Sequence, residues 1–434
     1  MSEVKVNKIT PTTNCGTVTL GDSGDTFSIP SGVTLDLQGS SSGFTDITWD
    51  TTAKTSAFTA VAGNGYFVDT TSAAITVTLP ASPSAGDFVG IKDYANTADT
   101  NNITIARNGS NIQGTANDFV ISTEGLSIVL IYIDATQGWV STGASKASDI
   151  DSQLFVTATG GTETTCGDYK IHTFTGPGTF CVSCAGNSFG SNTVDYLVVA
   201  GGGGGGGYGG AGAGGYRESS GAASGCYTAS PLGACVAALP VSATGYPITI
   251  GGGGTGSPGC GVNGSNSVFS TITSAGGGFG SNFNQTAGSG GSGGGTGDAP
   301  RGGVIGSGNT PPVSPPQGND GGQGNSDQTV WTLGGGGGGA TATGVAATPS
   351  RVAGPGGAGA TSSINATPTA RASGGGGGGG GPGTTGSSPV AGGGGWFVIG
   401  SPSPVNCGTA NTGGGGGSTG TGGSGIVIIR YKFQ

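Results

Sequence analysis

The second half of the chain alternates between glycine runs and polar segments, and two apolar runs bracket it. The first apolar run, YLVVA at 196–200, leads directly into seven consecutive glycines, and the second, IVIIRY, lies at 426–431. Short unbroken apolar runs of this kind are typical of buried β-strands. We therefore predict two strands that bracket a glycine-built domain over 201–434. Uninterrupted glycine runs lie at 201–207, 251–254, 276–278, 334–339, 374–381, 392–395 and 413–417.

A different pattern, the alternation of apolar and polar residues, marks the first third of the chain. It is clearest at 75–79, 88–91, 103–106 and 127–133. These short strands are separated by Gly, Asn and Asp turns and show no helical period, so they predict a β-sandwich or jelly roll over 49–143.

The segments that flank this sandwich are shorter and less regular. Residues 1–48 hold alternating stretches too short to pair alone, so we predict an attachment or shaft segment that intertwines with two further copies of the chain. Residues 144–158 have the composition of a linker, and residues 159–200 predict a small β module. The predicted fold class is therefore all-β at the N-terminus, with essentially no α-helix.

The glycine runs allow two interpretations, a flexible linker or an ordered array. A linker needs one such run, whereas this chain has a series of them. Extended helices of the polyproline II type have three residues per turn and make no internal hydrogen bonds, so neighbouring helices can bond to one another. Side chains would block close approach, which leaves glycine for the interior. We predict a polyglycine II sandwich whose core includes Gly203, Gly204, Gly336, Gly337, Gly377 and Gly378.

The polar excursions between the glycine runs are predicted to form loops at the two ends of this lattice. They are rich in Thr, Ser, Asn and Pro and carry most of the aromatic residues of the domain. Those aromatic side chains either stack on a sugar or a protein receptor, or pack over the edge of the lattice. The candidates for receptor contact are Tyr227, Tyr246, Phe283, Trp331, Trp396 and Phe397.

The net charge of the chain and its distribution narrow the classes of molecule that the protein is expected to bind. The 434 residues have a formal net charge of −9, and only four acidic and six basic residues lie beyond residue 200. The acidic first half repels nucleic acid and no basic stripe exists elsewhere, so nucleic-acid binding is not expected. No apolar segment is long enough to span a bilayer, and the N-terminus lacks the apolar core of a signal peptide. Release by cell lysis would reconcile that N-terminus with a surface suited to the outside.

Eight cysteines are present, but their spacing does not resemble a metal site. One CxxC at 181–184 and a single histidine, His172, give poor support for zinc, so no metal is expected. Loop disulfides are the favoured use, with Cys226–Cys235 and Cys166–Cys184 as plausible pairs. Sequence alone does not determine the connectivity.

Other candidate chemistry is weak. Gly201, Gly203 and Gly206 match the spacing of a dinucleotide-binding loop, but the glycine-rich continuation cannot form the helix that this loop requires, so no cofactor is expected. A glycan-degrading fibre would need a pair of carboxylates, for which Asp320 and Asp327 are the sole candidates. We expect His172 to be structural, and we predict a protein that is not an enzyme.

Several stretches resemble a known family. They are VDYLVVAGGGGGGG from Val194, GAGGYR at 212–217, NTGGGGGS at 411–418 and GGSGIVIIRY at 422–431. All four are similar to the glycine-rich domain of bacteriophage tail fibres and adhesins, common in phages of marine bacteria. LGDSGDTFSIPSG and YFVDTTSAAITVTLPASPSAGD in the first half also resemble fibre modules of such phages. The cysteines depart from the Thr/Ser-rich habit of that family.

The resemblance implies a virion protein that is assembled in the host cytoplasm and exposed after lysis. Its implied partners are further copies in a homotrimer, other tail proteins at the N-terminus, and a bacterial surface glycan or outer-membrane protein at the loops. The alternative is a structural virion or extracellular fibre protein whose rigid lattice adheres only weakly and nonspecifically.

Overall fold

The fold is described by a computed structural model over residues 47–142, 151–225, 227–298, 303–327, 329–388, 390–395 and 406–434. Its only helical element in these ranges is a single 3-10 turn at Pro231–Gly233. The prediction of an all-β chain is confirmed. The N-terminal segment predicted over 1–48 lies outside the described residues except for its last two positions.

The first unit is a two-layered β-sandwich. Its sheets have the orders β1-β3-β5-β8-β9 and β10-β7-β6-β4-β2. The strands are β1 (Thr48–Lys54), β2 (Phe58–Thr59), β3 (Asn64–Val68), β4 (Ile75–Thr78), β5 (Phe88–Asp93), β6 (Ile103–Ala106), β7 (Phe119–Ile121), β8 (Ser127–Asp134), β9 (Gly138–Thr142) and β10 (Asp151–Ser152).

The first six strands of this sandwich alternate between the two sheets and pair in parallel. β1, β3 and β5 are parallel neighbours in one sheet, and β2, β4 and β6 are parallel neighbours in the other. The chain therefore winds as a coil that adds one strand to each sheet per turn, and an antiparallel set from β7 onwards completes it. Of the two predicted forms, the β-sandwich is therefore present, whereas a jelly roll, which is antiparallel throughout, is not.

One apolar core fills the space between the two sheets. The inward residues of the alternating strands are buried, among them Val77, Ile91, Ile105 and Leu130. Trp139 is fully buried in the same core and packs edge-on to Tyr132, with ring centroids 5.6 Å apart. The alternation read from the sequence thus assigns the correct face of each strand to the core.

A second pair of sheets supports the glycine domain, with orders β11-β14-β18-β19-β20 and β12-β13-β26-β15-β16. The strands are β11 (Val156–Thr159), β12 (Thr162–Cys166), β13 (Tyr169–Phe174), β14 (Gly178–Ala185), β15 (Thr193–Val199), β16 (Tyr216–Glu218), β17 (Leu239–Pro240), β18 (Gly245–Thr249), β19 (Ser267–Phe269), β20 (Ile272–Ser274) and β26 (Ile426–Lys432). We call these two sheets the β base.

The β base crosses two of the predicted boundaries. The predicted linker at 144–158 contains β10 and most of β11, and Val156 and Ala158 of β11 are buried in the core of the base. The module predicted over 159–200 is also completed by β16 to β20 and β26, which come from beyond residue 200. The base is therefore built from residues on both sides of the predicted boundary at residue 200.

The two bracketing strands lie side by side at the centre of the base. β15 pairs antiparallel with β26, and Asp195 lies opposite Arg430 while Val199 lies opposite Ile426. Tyr196 and Val198 face one apolar core and Leu197 and Val199 face the other, so β15 is buried on both faces. This double burial explains why its sequence is an unbroken apolar run.

The glycine run at 201–207 continues β15 as an extended helix with threefold hydrogen bonding. Its amides at 201, 204 and 207 donate to the carbonyl groups of 265, 262 and 259, which descend in steps of three. The amides at 202 and 205 donate to the carbonyl groups of 423 and 420. The amides at 203 and 206 donate to the carbonyl groups of 212 and 209. Three antiparallel neighbours thus accept in three directions, as expected for three residues per turn.

The carbonyl groups of the same run accept from three further neighbours. Gly277 and Gly280 donate to carbonyls 201 and 204, Gly254 and Ser257 donate to 202 and 205, and 416 and 419 donate to 203 and 206. These three neighbours run parallel to it. The helix at 201–207 therefore has six bonded neighbours, which is hexagonal packing.

A second helix, at 334–339, also has six bonded neighbours. Its amides donate in threefold order to residues 378 and 375, 296 and 293, and 345 and 342. Its carbonyl groups accept from 354 and 357, 210 and 213, and 322 and 319. A glycine lattice of mutually bonded helices is thus built, as predicted.

Candidate functional site

The lattice has two ends, of which one lies on the β base. The helix at 201–207 leaves β15 at the base and reverses at Tyr208, where the Gly206 amide bonds to the Gly209 carbonyl. The helix at 374–378 also runs outward, because its last amide, Gly378, donates to Tyr208. We call the end marked by Tyr208 the distal end.

A cleft of about 330 Å³ opens at the distal end. It is formed where four chain segments meet: the reversal at Tyr208, the loop around Phe283, the loop before β22 (Thr332–Leu333), and β25 (Gly379–Gly380). The lining residues are Tyr208, Phe283, Thr329, Val330, Trp331, Thr332, Gly380 and Gly381. We call this the distal cleft.

Two of the aromatic residues predicted to contact a receptor, Phe283 and Trp331, meet in this cleft. Phe283 packs edge-on to Tyr208 with ring centroids 5.0 Å apart. Trp331 packs on a small cluster around Leu333, and the guanidinium of Arg351 lies 5.6 Å from its ring centroid. Tyr208 was missed by the sequence argument, although a single aromatic residue that interrupts a glycine run was a usable signal for it.

Asp327 holds the loop that carries Trp331. Its Oδ1 atom accepts hydrogen bonds from the backbone amides of Thr329, Val330 and Trp331 at 3.0, 2.7 and 3.0 Å. Desolvation opposes ionisation, but these amide bonds outweigh it and lower the pKa of the Asp327 carboxyl to about 2. Asp327 therefore acts as a turn-forming anion. Asp320 likewise accepts from the backbone amide of Gly308 at 2.7 Å.

Glycine is required at position 381 of the cleft wall and leaves close room for the Tyr208 ring at position 380. A Cβ on Gly380 would lie 3.0 Å from the Tyr208 ring, and one on Gly381 would lie 2.5 Å from the Val330 carbonyl oxygen. Gly381 also has a φ of 107°, which side chains rarely adopt. Bare backbone therefore forms one wall of the cleft and the aromatic rings form another.

Two other predicted contact aromatics, Tyr227 and Tyr246, do not join this cleft. Tyr227 is half-buried at the base, with Arg430 5.4 Å from its ring. Tyr246 packs near Phe180 and Phe269 in the core of the base. Packing is therefore the role that the structure gives these two tyrosines. Trp396 and Phe397 lie outside the described residues.

The six glycines predicted for the lattice core all lie in the lattice. Each is buried and each amide donates a backbone hydrogen bond of 2.6 to 3.0 Å. They are Gly203, Gly204, Gly336, Gly337, Gly377 and Gly378.

The predicted disulfides are not formed. Cys166 and Cys184 are free, and they lie on β12 and β14, in different sheets of the base. Cys235 is also free, and Cys226 lies outside the described residues. The structure therefore does not contain the Cys166–Cys184 bond that sequence offered as a plausible pair.

Sequence reasoning also missed a buried polar cluster where the lattice meets the base. The carboxylate of Asp195 accepts from the Ser219 hydroxyl at 2.6 Å and from the Ser224 amide at 2.7 Å. Glu218 accepts from the Tyr216 hydroxyl at 2.9 Å and from the Ser362 hydroxyl. Burial raises the pKa of the Glu218 carboxyl, although these hydrogen bonds oppose the rise. The cluster is fully enclosed, which suits a structural role.

His172 is structural as well. It is fully buried, with Nδ1 2.7 Å from the Gly160 carbonyl and Nε2 3.0 Å from the Tyr431 hydroxyl. Burial lowers the pKa of its imidazole. Within the described ranges no group of three or more His, Cys, Asp or Glu side chains is arranged to hold a metal ion. Those ranges also contain no helix of the length and apolar character needed to cross a bilayer.

Comparison with known families agrees with this architecture. A family model described as a glycine-rich domain matches residues 175–432, which include most of the β base and the whole lattice. No curated protein sequence matches the chain. The matched segment is more than half of the 434 residues, and the chain therefore belongs to the glycine-rich domain family.

Proposed function

We propose that this protein is a phage tail fibre or adhesin that recognises the host cell surface through loops of its glycine-rich domain. The observation that supports the proposal is the distal cleft, an aromatic-lined concavity at the free end of a rigid lattice. Binding residues are commonly placed on loops that a rigid scaffold positions. The lattice is such a scaffold, because its helices are fixed by bonds to as many as six neighbours.

The same proposal includes the partners and the site of action. The chain acts without catalysis, forms a homotrimer, joins other tail proteins through its N-terminus, and binds a surface glycan or outer-membrane protein. It does so on the virion, outside the host. Asp320 and Asp327 both accept hydrogen bonds from backbone amides. These bonds support a binding role over glycan hydrolysis.

Binding of the purified full-length chain to a panel of bacterial strains tests the proposal. We expect retention on particular strains and competition with a phage that adsorbs to those strains. Exchange of residues 329–332 for a different loop should change the set of strains bound. If no strain retains the protein, or if the exchange leaves the set unchanged, recognition by this loop is wrong.

A structural fibre protein with weak adhesion is the second candidate function. It is favoured by the extent of the lattice, whose backbone bonds supply rigidity without any loop. This candidate predicts equal, weak retention on all strains and no effect of the loop exchange.

A further inference from the structure

We propose that the distal cleft binds an uncharged sugar residue of a glycan, which stacks on the rings of Trp331 and Phe283. This inference rests on the proposed adhesin function and assigns the chemical class of its ligand. The cleft volume of about 330 Å³ lies at the lower end of the range for small-molecule sites, about 300–1,000 Å³. That size suits the end of an oligosaccharide.

The walls of the cleft match the two kinds of surface on a sugar ring. A pyranose has an apolar face of C–H groups, which packs on an aromatic ring, and a rim of hydroxyl groups. The rings of Tyr208, Phe283 and Trp331 supply the apolar contact, and Phe283 is 37% exposed. The hydroxyls of Thr329 and Thr332 can each donate and accept, as sugar hydroxyls require.

The charge of the site favours a neutral ligand. None of the eight described residues that line the cleft is charged. The nearby carboxylate of Asp327 is engaged by three backbone amides. The nearby cation, Arg351, lies over Trp331 and donates from Nη1 to the Pro382 carbonyl at 2.9 Å. An acidic sugar would lose hydration without gaining a cationic partner in the cleft.

The site is also held in place before a ligand arrives. Arg351 fixes one face of Trp331, Tyr208 fixes Phe283 edge-on, and Asp327 fixes the loop between them. A site that is already ordered avoids the entropic cost of ordering side chains on binding. This benefits a small ligand that offers few contacts.

An array of oligosaccharides, probed with the full-length protein, tests the inference. The array carries neutral hexose and deoxyhexose oligosaccharides beside uronic acid and sialic acid forms. We expect binding to a subset of the neutral glycans. Binding restricted to acidic forms, or to none, would overturn the inference.

Variants then locate the binding on the cleft. Trp331→Ala and Phe283→Ala should each weaken binding of the selected glycan by about tenfold or more, equivalent to about 1.4 kcal/mol. Trp331→Phe keeps a ring and should retain most of the affinity, which guards against loss through misfolding. Tyr94→Ala removes a 58% exposed aromatic residue from the sandwich and serves as the matched control. Equal affinity of Trp331→Ala and Tyr94→Ala would contradict the assignment.

Periodate or protease treatment of the cells that retain the protein separates this inference from the adhesin function. Periodate cleaves the vicinal diols of surface glycans, whereas protease removes surface proteins. We expect periodate to abolish retention of the protein and protease treatment to leave its retention unchanged. Retention that survives periodate but not protease would contradict the sugar ligand and leave the adhesin role intact. Glycan binding on the array without retention on any strain would contradict the adhesin role and leave the cleft assignment intact.

Discussion

At the scale of single residues, the lattice requires glycine because of space rather than because of backbone conformation. None of the glycines at 201–207 has a positive φ, so their conformation is open to other residues. Their surroundings, however, leave no room for a side chain. A Cβ on Gly203 would lie 2.2 Å from the carbonyl oxygen of Gly278, and one on Gly337 would lie 1.8 Å from that of Ala211. The obstructing atoms are backbone, which cannot move without breaking lattice bonds.

Gly203→Ala should therefore destabilise the domain strongly. Overpacking in well-packed interiors costs about 1–3 kcal/mol, and we expect at least the upper value here. Gly252→Ala is the matched control, because Gly252 is exposed and a Cβ there would meet nothing within 4 Å. Thermal unfolding of both variants checks this. Similar unfolding temperatures for the two variants would show that the interior tolerates side chains.

His172 should make stability depend on pH. Burial lowers the pKa of its imidazole, so the folded state binds this proton less readily than the unfolded chain does. The stabilisation is fully present above the ordinary pKa of about 6.5 and is lost as the pH falls below it. We expect the unfolding temperature of the wild type to fall more steeply below pH 6.5 than that of His172→Gln. The raised pKa of Glu218 acts in the opposite direction but is common to both proteins. Parallel pH profiles would contradict this assignment.

At the scale of elements, alternation in the sequence predicted strands and their faces but not their partners. The residues of β4 and β6 were found because Ile75, Val77, Ile103 and Ile105 alternate with polar residues. Nothing in that alternation distinguishes a parallel neighbour from an antiparallel one, so the parallel coil was missed. Double burial of β15 was equally invisible, because an apolar run does not show which two layers cover it.

The distal cleft was predictable in part for a related reason. Phe283 and Trp331 stood out as aromatic residues within polar excursions. Their meeting depends on which helices end beside one another, and identical glycine runs carry no information about their neighbours. Tyr227 belonged to the same group by sequence but lies at the base, at the opposite end of the lattice.

The Asp327 turn gives a test at this scale. Asp327→Ala removes the acceptor for the amides of Thr329, Val330 and Trp331, whereas Asp327→Asn keeps an acceptor oxygen. We expect hydrogen exchange of these three amides to accelerate in the alanine variant and to change little in the asparagine variant. Unfolding of the lattice should be nearly unaffected in both. If exchange in the alanine variant equals that of the wild type, the turn is held by other contacts.

At the scale of the whole molecule, the β base closes the lattice with the last strand of the chain. β26 lies between β13 and β15, and it faces both apolar cores of the base. The chain thus enters the lattice from β15 and leaves it into β26, two adjacent strands of the base. Residues near position 200 and residues near position 425 must therefore come together before the lattice is complete.

Removal of β26 should consequently disrupt the base and the lattice together. A chain truncated after Ser424 exposes β13 and β15 and loses Val427 and Ile429 from the core. We expect it to lose the cooperative unfolding transition of residues 156–424 while the sandwich core around Trp139 persists. A chain that lacks only Gln434, which is exposed, is the control. A truncated chain that retains the transition would show that the lattice is stable without its closing strand.

Amide hydrogen exchange along residues 201–206 tests the central claim most directly. Every amide in this stretch donates to a neighbouring helix, so these glycines should exchange only when the whole domain opens. The account predicts exchange as slow as that of the buried strand β15. Exchange of these glycines at the rate of an unstructured chain would contradict the lattice.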